Sequence, residues 1–273
     1  MTDSVLISSP NPGVTQLTLH RPDRLNAMNT ELVQGLHDAL DAITLDADCR
    51  VVVITGAGDA FCAGLDLTGY GLPPTVPPGE TGTVQRSMAT QQHIAALIPR
   101  LRSIRQPVIA AVNGAAAGGG LALVLGSDIR IASEQARFAV SFVKVGLSAC
   151  DIGTSWLLPR IVGAGRAHEL MLTGRTFGAL KAAQIGLVTE VVPPDDLLDS
   201  CLTKATQIMQ NSPYGIWMTK ETMWASLEIP GLEAAIAIEN RTQVMSLGTG
   251  DFLEAADAFL TKRAPRWAPQ TGE

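Results

Sequence analysis

The chain has 273 residues, with 26 acidic and 20 basic side chains for a formal net charge of −6, and is 46% hydrophobic against 17% charged. That length makes one large domain, or one with a sizeable extension, able to bury a core without disulfide or metal staples. The balance excludes disordered and fibrous classes and argues against non-specific nucleic-acid binding, while an anionic small ligand stays open because a local site can be basic on an acidic protein.

The opening segment MTDSVLISSPNPG has an early acid and no basic stretch ahead of an apolar core, so it does not read as a secretory signal. VTQLTLH (14–20) alternates as a half-buried strand does. A helix is expected from Asn29 or Thr30, with Leu32, Val33, Leu36, Leu40 and Ile43 on its apolar face. RVVVITG (50–56) is an uninterrupted apolar strand, as for a strand covered on both faces. Residues 69–82 are rich in Pro and Gly and read as an exposed loop, followed by a single helix over 84–101.

Between Arg105 and Asp128 stand 22 residues without charge, long enough to span a bilayer. Pro107, Asn113, Gly114 and the run Gly118, Gly119, Gly120 divide it into a buried strand, a tight turn and a buried helix instead. Strands DIRIA (128–132) and LVTEVV (187–192) follow. Helices then open at Pro194, Pro213 and Pro230, with a fourth over 251–262. Alternating strands and helices, with strands apolar throughout, predict an α/β core to about residue 195 and a helical layer beyond. The four cysteines form no close pair and read as reduced thiols of a cytoplasmic protein.

Three motifs fall short. Gly56 and Gly58 follow a strand, but Phe61 occupies the third glycine position of a dinucleotide-binding turn. GLSAC around Ser148 has Cys150 in place of the second glycine of a nucleophile elbow. His20, His37, His93 and His168 stand singly, so no metal site is expected.

Two loops have unusual backbone requirements: AFCAGLDL (60–67) and NGAAAGGG (113–120), each after a strand, the second opening an apolar helix. The first N–H groups of that helix lack internal partners and carry the positive end of its dipole. One such donor per loop would hold a developing oxyanion. Alternatively, the glycines serve only close helix–strand packing.

These loops, with RPDRLNAM near residue 21, VVVITGAGDAFCAGLDL, QPVIAAVNGAAAGGGLALVLGSDIRIAS, LLPRIVGAGRAHELMLTG, AAQIGLVTEVV and the terminal FLTKRAPRW, resemble the crotonase superfamily, also called enoyl-CoA hydratase/isomerase, over nearly the whole chain. The resemblance implies a spiral of stacked ββα units over 1–195 carrying an acyl-CoA site. It also implies a helical region over 196–273 for trimerisation and closure of the CoA pocket, with assembly as a homotrimer or dimer of trimers. The implied ligand is an acyl-CoA thioester; no separate cofactor is needed, since coenzyme A is part of the substrate. By position, the two oxyanion amides fall on Leu65 and Gly119. Ala27, Ala63, Asp66, Leu67, Thr68, Gly118 and Phe142 fall in the substrate-facing set, with Asp66 either structural or CoA-facing. Lys262 resembles a residue that meets CoA phosphates from a neighbouring subunit, or is a solvated helix end.

The chain departs from its relatives at two positions. The two glutamates that hydratases of the family use to move protons correspond to Ala122 and Phe142, so proton transfer or double-bond isomerisation is favoured over hydration. Asp151 remains, matching an aspartate that isomerases of the family use as a base. Facing a pocket of Phe142, Val143 and Trp156, it would have a raised pKa and serve as acid/base. Otherwise it caps the following helix. The alternative is that the chain is a catalytically weak or inactive CoA-thioester binding protein, a reading the missing glutamates favour.

Overall fold

The computed structural model describes residues 4–267, so residues 1–3 and 268–273, which the expected segments 1–195 and 196–273 include, lie outside the described residues. The chain opens with β1 (Val5–Asn11), β2 (Val14–Leu19) and α1 (Thr30–Leu45). A long and a short strand, β3 (Val51–Gly56) and β4 (Ala60–Cys62), precede α2 (Thr83–Ala95) and α3 (Leu97–Ser103). The same order recurs in β5 (Val108–Val112), β6 (Ala115–Ala117) and α4 (Gly119–Gly126). It recurs again in β7 (Ile129–Ser133), β8 (Arg137–Ala139), α5 (Thr154–Val162) and α6 (Ala164–Thr173). Then come β9 (Phe177–Gly178), α7 (Ala179–Gln184) and β10 (Glu190–Val192). The helices α8 (Leu197–Met209), α9 (Pro213–Ser226), α10 (Leu232–Leu247) and α11 (Asp251–Leu260) complete the described chain.

The long strands form a sheet in the order β1-β2-β3-β5-β7-β10, and the short ones a second sheet, β4-β6-β8-β9. Pairing in the first sheet is parallel from β2 to β10, with β1 antiparallel at the edge. Both faces of the central strands are covered, which is why they are apolar throughout. Val52, Ile54, Val108 and Ala110 join the main core with α1 and α4, whereas Val51, Val53, Ile109 and Ala111 pack under Leu197, Cys201 and Ala205 of α8. By packing, α8 therefore goes with the α/β core, although it lies beyond residue 195.

The structure differs from the sequence reading at several elements. The single helix expected over 84–101 is two, because Pro99 has no N–H for the carbonyl of Ala95, where α2 ends. β1 escapes pattern reading because residues 6–9 are exposed, and the short strands because two or three residues carry no periodicity. Pro194 opens a 3₁₀ turn (Pro194–Asp196), and the α-helix starts only at Leu197. The uncharged 22-residue run is β5, β6 and α4, with all of α4 buried. Among the described residues no helix is long and apolar enough to cross a membrane.

The short sheet positions the site. β4 and β6 pair in parallel, Ala60 with Ala115 and Cys62 with Ala116, so the loops that leave their ends run side by side. Gly120 makes the approach possible, since a Cβ there would lie 2.0 Å from the carbonyl oxygen of Cys62. Gly120→Ala is accordingly expected to lower stability by about 3 kcal/mol, roughly 6–12 °C in the melting temperature of a chain this size. Thermal unfolding of the variant checks this, and a shift under about 2 °C would mean that the loops can part.

Candidate active site

Leu65 and Gly119 sit on these abutting loops. Leu65 forms a parallel bridge with Met28, in which Met28 N–H donates to the Gly64 carbonyl (2.7 Å) and Asp66 N–H donates to the Met28 carbonyl (3.0 Å). The groups flanking Leu65 thus serve Met28, and the N–H of Leu65 itself points to the opposite side. Gly64 adopts φ +100°, and a Cβ on it would lie 2.9 Å from Ala117 O and 3.6 Å from Gly119 N. Gly118, at φ +50° and ψ −118°, turns the chain into α4, and its N–H donates to Ala139 O (3.1 Å). Gly119 is the first helical residue, ahead of the first intrahelical bond, from Ala122 N–H to Gly118 O (3.0 Å). Neither the Leu65 nor the Gly119 N–H has an acceptor among the described residues. Two unpaired donors beside the positive end of a helix suit a developing negative oxygen.

Four side chains lie around this point: Met28, Ile152, Phe142 and Ser141, whose hydroxyl would lie 3.3 Å from a Cβ on Gly118. A Cβ on Gly119 would lie 2.9 Å from Met28 Sδ and 3.5 Å from Ile152 Cδ1, and one on Gly118 would lie 3.6 Å from Phe142 Cε1. Phe142 is buried beside the turn and Ala122 is buried in α4, so neither supplies a group that can carry a proton.

Asp151 is brought to the site through its neighbour. Ile152 has φ +47°, a left-handed conformation that costs a β-branched residue of order 1–3 kcal/mol, and Gly153 follows at φ +75°. The turn lays Ile152 over Gly119 and places its N–H 2.8 Å from Asp151 Oδ1. The Gln91 side-chain amide, reaching from α2, donates to the same oxygen. The half-buried carboxylate is thus held at Oδ1, while Oδ2 has no donor among the described residues.

Both sequence expectations for the surroundings of Asp151 are corrected. Its side chain does not cap α5: Gly153 is the N-cap residue, without a side-chain bond, and the helix begins at Thr154. The apolar lining expected from Val143 and Trp156 is directed elsewhere. Val143 Cγ2 lies 2.8 Å from where a Cβ of Gly174 would be, and the guanidinium groups of Arg102 (4.9 Å) and Arg160 (3.8 Å) lie over the Trp156 ring.

The remaining sequence-predicted residues fall along the first loop and at the C-terminus. The carboxylate of Asp66 is engaged within the chain. Oδ1 accepts from the Thr68 N–H (3.0 Å) and hydroxyl (2.6 Å), and Oδ2 accepts from both terminal nitrogens of Arg21 (3.0 Å). Chiefly through Thr68, and then Arg21, its pKa is lowered to about 2. Arg21 also donates to the Ala27 carbonyl, and Ala63 N–H donates to Leu25 O (3.0 Å), so Ala27, Ala63 and Asp66 form one hydrogen-bonded wall. Leu67 stands out from it, 72% exposed. Lys262 is exposed just past α11 and belongs to the C-terminal layer.

Sequence reading missed Gln91, Ile152 and Met28, and also the anchor of loop 69–82. The Tyr70 hydroxyl meets His93 Nδ1 (2.7 Å), and His93 Nε2 meets Gln34 Oε1 (3.1 Å). The Tyr70 carbonyl accepts from the Thr30 N–H (2.8 Å) and hydroxyl (2.7 Å). Burial lowers the pKa of His93 and of His37 behind it, so both are neutral near pH 7. With His93 neutral, the phenol donates to Nδ1 and Nε2–H donates to Gln34. Burial pushes the Cys62 thiol up to about 12, which disarms it as a nucleophile. Among the described residues, no group of three or more His, Cys, Asp or Glu stands together as metal ligands.

A family model described as enoyl-CoA hydratase/isomerase matches residues 9–270. The chain is 41% identical over 268 residues to the probable enoyl-CoA hydratase EchA12 of Mycobacterium tuberculosis, covering 98% of this chain and 93% of the relative. It is 36% identical over 262 residues to the 1,2-epoxyphenylacetyl-CoA isomerase of Escherichia coli, covering 96% and 97%. The crystal structure of a probable enoyl-CoA hydratase/isomerase from Mycobacterium abscessus superposes with a TM-score of 0.92 at 38% identity, covering 98% of this chain and 100% of the other.

Proposed function

The chain belongs to the enoyl-CoA hydratase/isomerase family as an acyl-CoA-processing enzyme, and from that premise we propose that it isomerises a thioester-activated double bond rather than hydrating it. The Leu65 and Gly119 N–H groups donate to the thioester carbonyl oxygen and stabilise the enolate that forms when the proton on C2 is removed. Asp151 takes that proton on Oδ2 and returns it at C4, so a 3-enoyl thioester becomes a 2-enoyl thioester with no net gain or loss of atoms. Gly118 shapes the turn, Phe142 excludes water beside it, and the wall of Ala27, Ala63, Asp66, Leu67 and Thr68 lies along the CoA moiety. The observation that carries this reading is that the Leu65 and Gly119 N–H groups have no acceptor, and Asp151 Oδ2 no donor, among the described residues, while Ala122 and Phe142 stand at the two glutamate positions of the family's hydratases.

The same reading includes a homotrimer or dimer of trimers, with Lys262 offered to a neighbour's CoA phosphates. Its support is that α10 buries none of its residues and exposes Leu232, Ile236, Val244, Met245 and Leu247, while α11 exposes Phe252, Leu253, Phe259 and Leu260. Large exposed apolar surface on a helical layer marks an interaction surface more often than a bare face of a monomer. A cytoplasmic location is in keeping with the four unpaired cysteines.

Assaying the purified chain with 3-hexenoyl-CoA and 2-hexenoyl-CoA tests the activity. Isomerisation of the first is expected, with hydration of the second slower by at least about 10²-fold, the contribution of the missing proton-transfer groups. Brisk hydration would overturn the reading. Tight binding of acyl-CoAs, with no turnover across a panel of acyl groups, would favour a second reading: a CoA-thioester binding protein, to which Ala122 and Phe142 also point.

A further inference from the structure

We propose that Gln91 is a positioning residue for Asp151, clamping one carboxylate oxygen so that the other faces the acyl group; this rests on the reading of Asp151 as the acid/base. The two residues lie 60 positions apart in the chain, and the Gln91 amide nevertheless donates to Oδ1. The N–H of Ile152 donates to the same oxygen at 2.8 Å. A carboxylate turns easily about its last torsion, which has broad, two-fold preferences. Two donors on one oxygen remove that freedom and leave Oδ2 as the oxygen without a donor among the described residues.

The clamp depends on where α2 sits, and α2 is itself tied down. His93, two residues after Gln91, holds Tyr70 and Gln34, so the helix carrying the glutamine is locked to loop 69–82 and to α1. Through these contacts, loop 69–82 and α1 also set the reach of Gln91. The glutamine itself is exposed, which makes its substitution compatible with folding.

Gln91→Met keeps a side chain of similar length and removes the donor. With 3-hexenoyl-CoA as substrate, its kcat is expected to fall about tenfold while KM changes by less than about twofold. Gln91→Glu is expected to lose at least as much, because its carboxylate cannot donate and repels Asp151. The decisive measurement is the double variant: in an Asp151→Asn background, Gln91→Met is expected to cost nothing further, since it acts only through the carboxylate. An unchanged kcat in Gln91→Met, or the same loss in both backgrounds, overturns the clamp. Full turnover in Asp151→Asn alone is a different result, and it overturns the role of Asp151 instead.

Discussion

Replacing Gly119 with proline is expected to lower kcat for 3-hexenoyl-CoA by about 10²–10³, the usual cost of one oxyanion donor. The substitution is gentle on the backbone. Gly119 is the first residue of α4, where proline is well tolerated. Gly118 before it, at φ +50° and ψ −118°, adopts the mirror image of the extended conformation that proline demands of its predecessor, one open to glycine. Both proline and alanine place a Cβ about 2.9 Å from Met28 Sδ, the flexible part of a thioether side chain that can move aside. Gly119→Ala is therefore the control: it adds the same carbon, keeps the N–H and is expected to retain most of the activity. Steady-state kinetics on both variants, with melting temperatures alongside, separates the two effects. Equal losses in both would mean that bulk, and not the amide, is what matters at this position.

Asp151→Asn is expected to lower isomerisation by about 10³, within the range for removing a general acid/base. Its side chain has the same shape, and its carbonyl oxygen can still accept from Gln91 and from the N–H of Ile152, so the turn through Ile152 keeps its support. What is lost is an oxygen able to take a proton. Binding of the substrate is expected to change little, so the loss should appear in kcat and leave KM nearly untouched. Turnover equal to that of the unaltered chain would assign proton transfer to another group.

Some of this was legible in the sequence and some was not, and the difference is physical. The apolar runs at 51–54 and 108–112 announce strands covered on both faces, and Pro213 marks a helix start, because such signals depend on a few neighbours along the chain. β1 gave no such signal, since its exposed residues owe their conformation to pairing with β2. Asp66, in sequence an acid within the first loop that reads as structural or CoA-facing, is held by Thr68 close by and also by Arg21, 45 positions away, which no local reading shows. Val143 and Trp156, close to Asp151 in the chain, are turned to other partners, while Gln91 arrives from another helix.

The sequence by itself determined the residue types of the candidate site: a glycine turn able to present amides, Ala122 and Phe142 at the positions where the family resemblance expects proton carriers, and Asp151 near them. These are properties of residue type and of local backbone freedom. Only the tertiary structure decided that the Leu65 and Gly119 amides lie on abutting loops without other acceptors, and that one oxygen of Asp151 is held while the other is not. Those outcomes follow from the parallel pairing of β4 with β6 and from the left-handed turn at Ile152. Contacts between segments tens of residues apart are set by sheet register and packing, to which no short stretch of sequence has access.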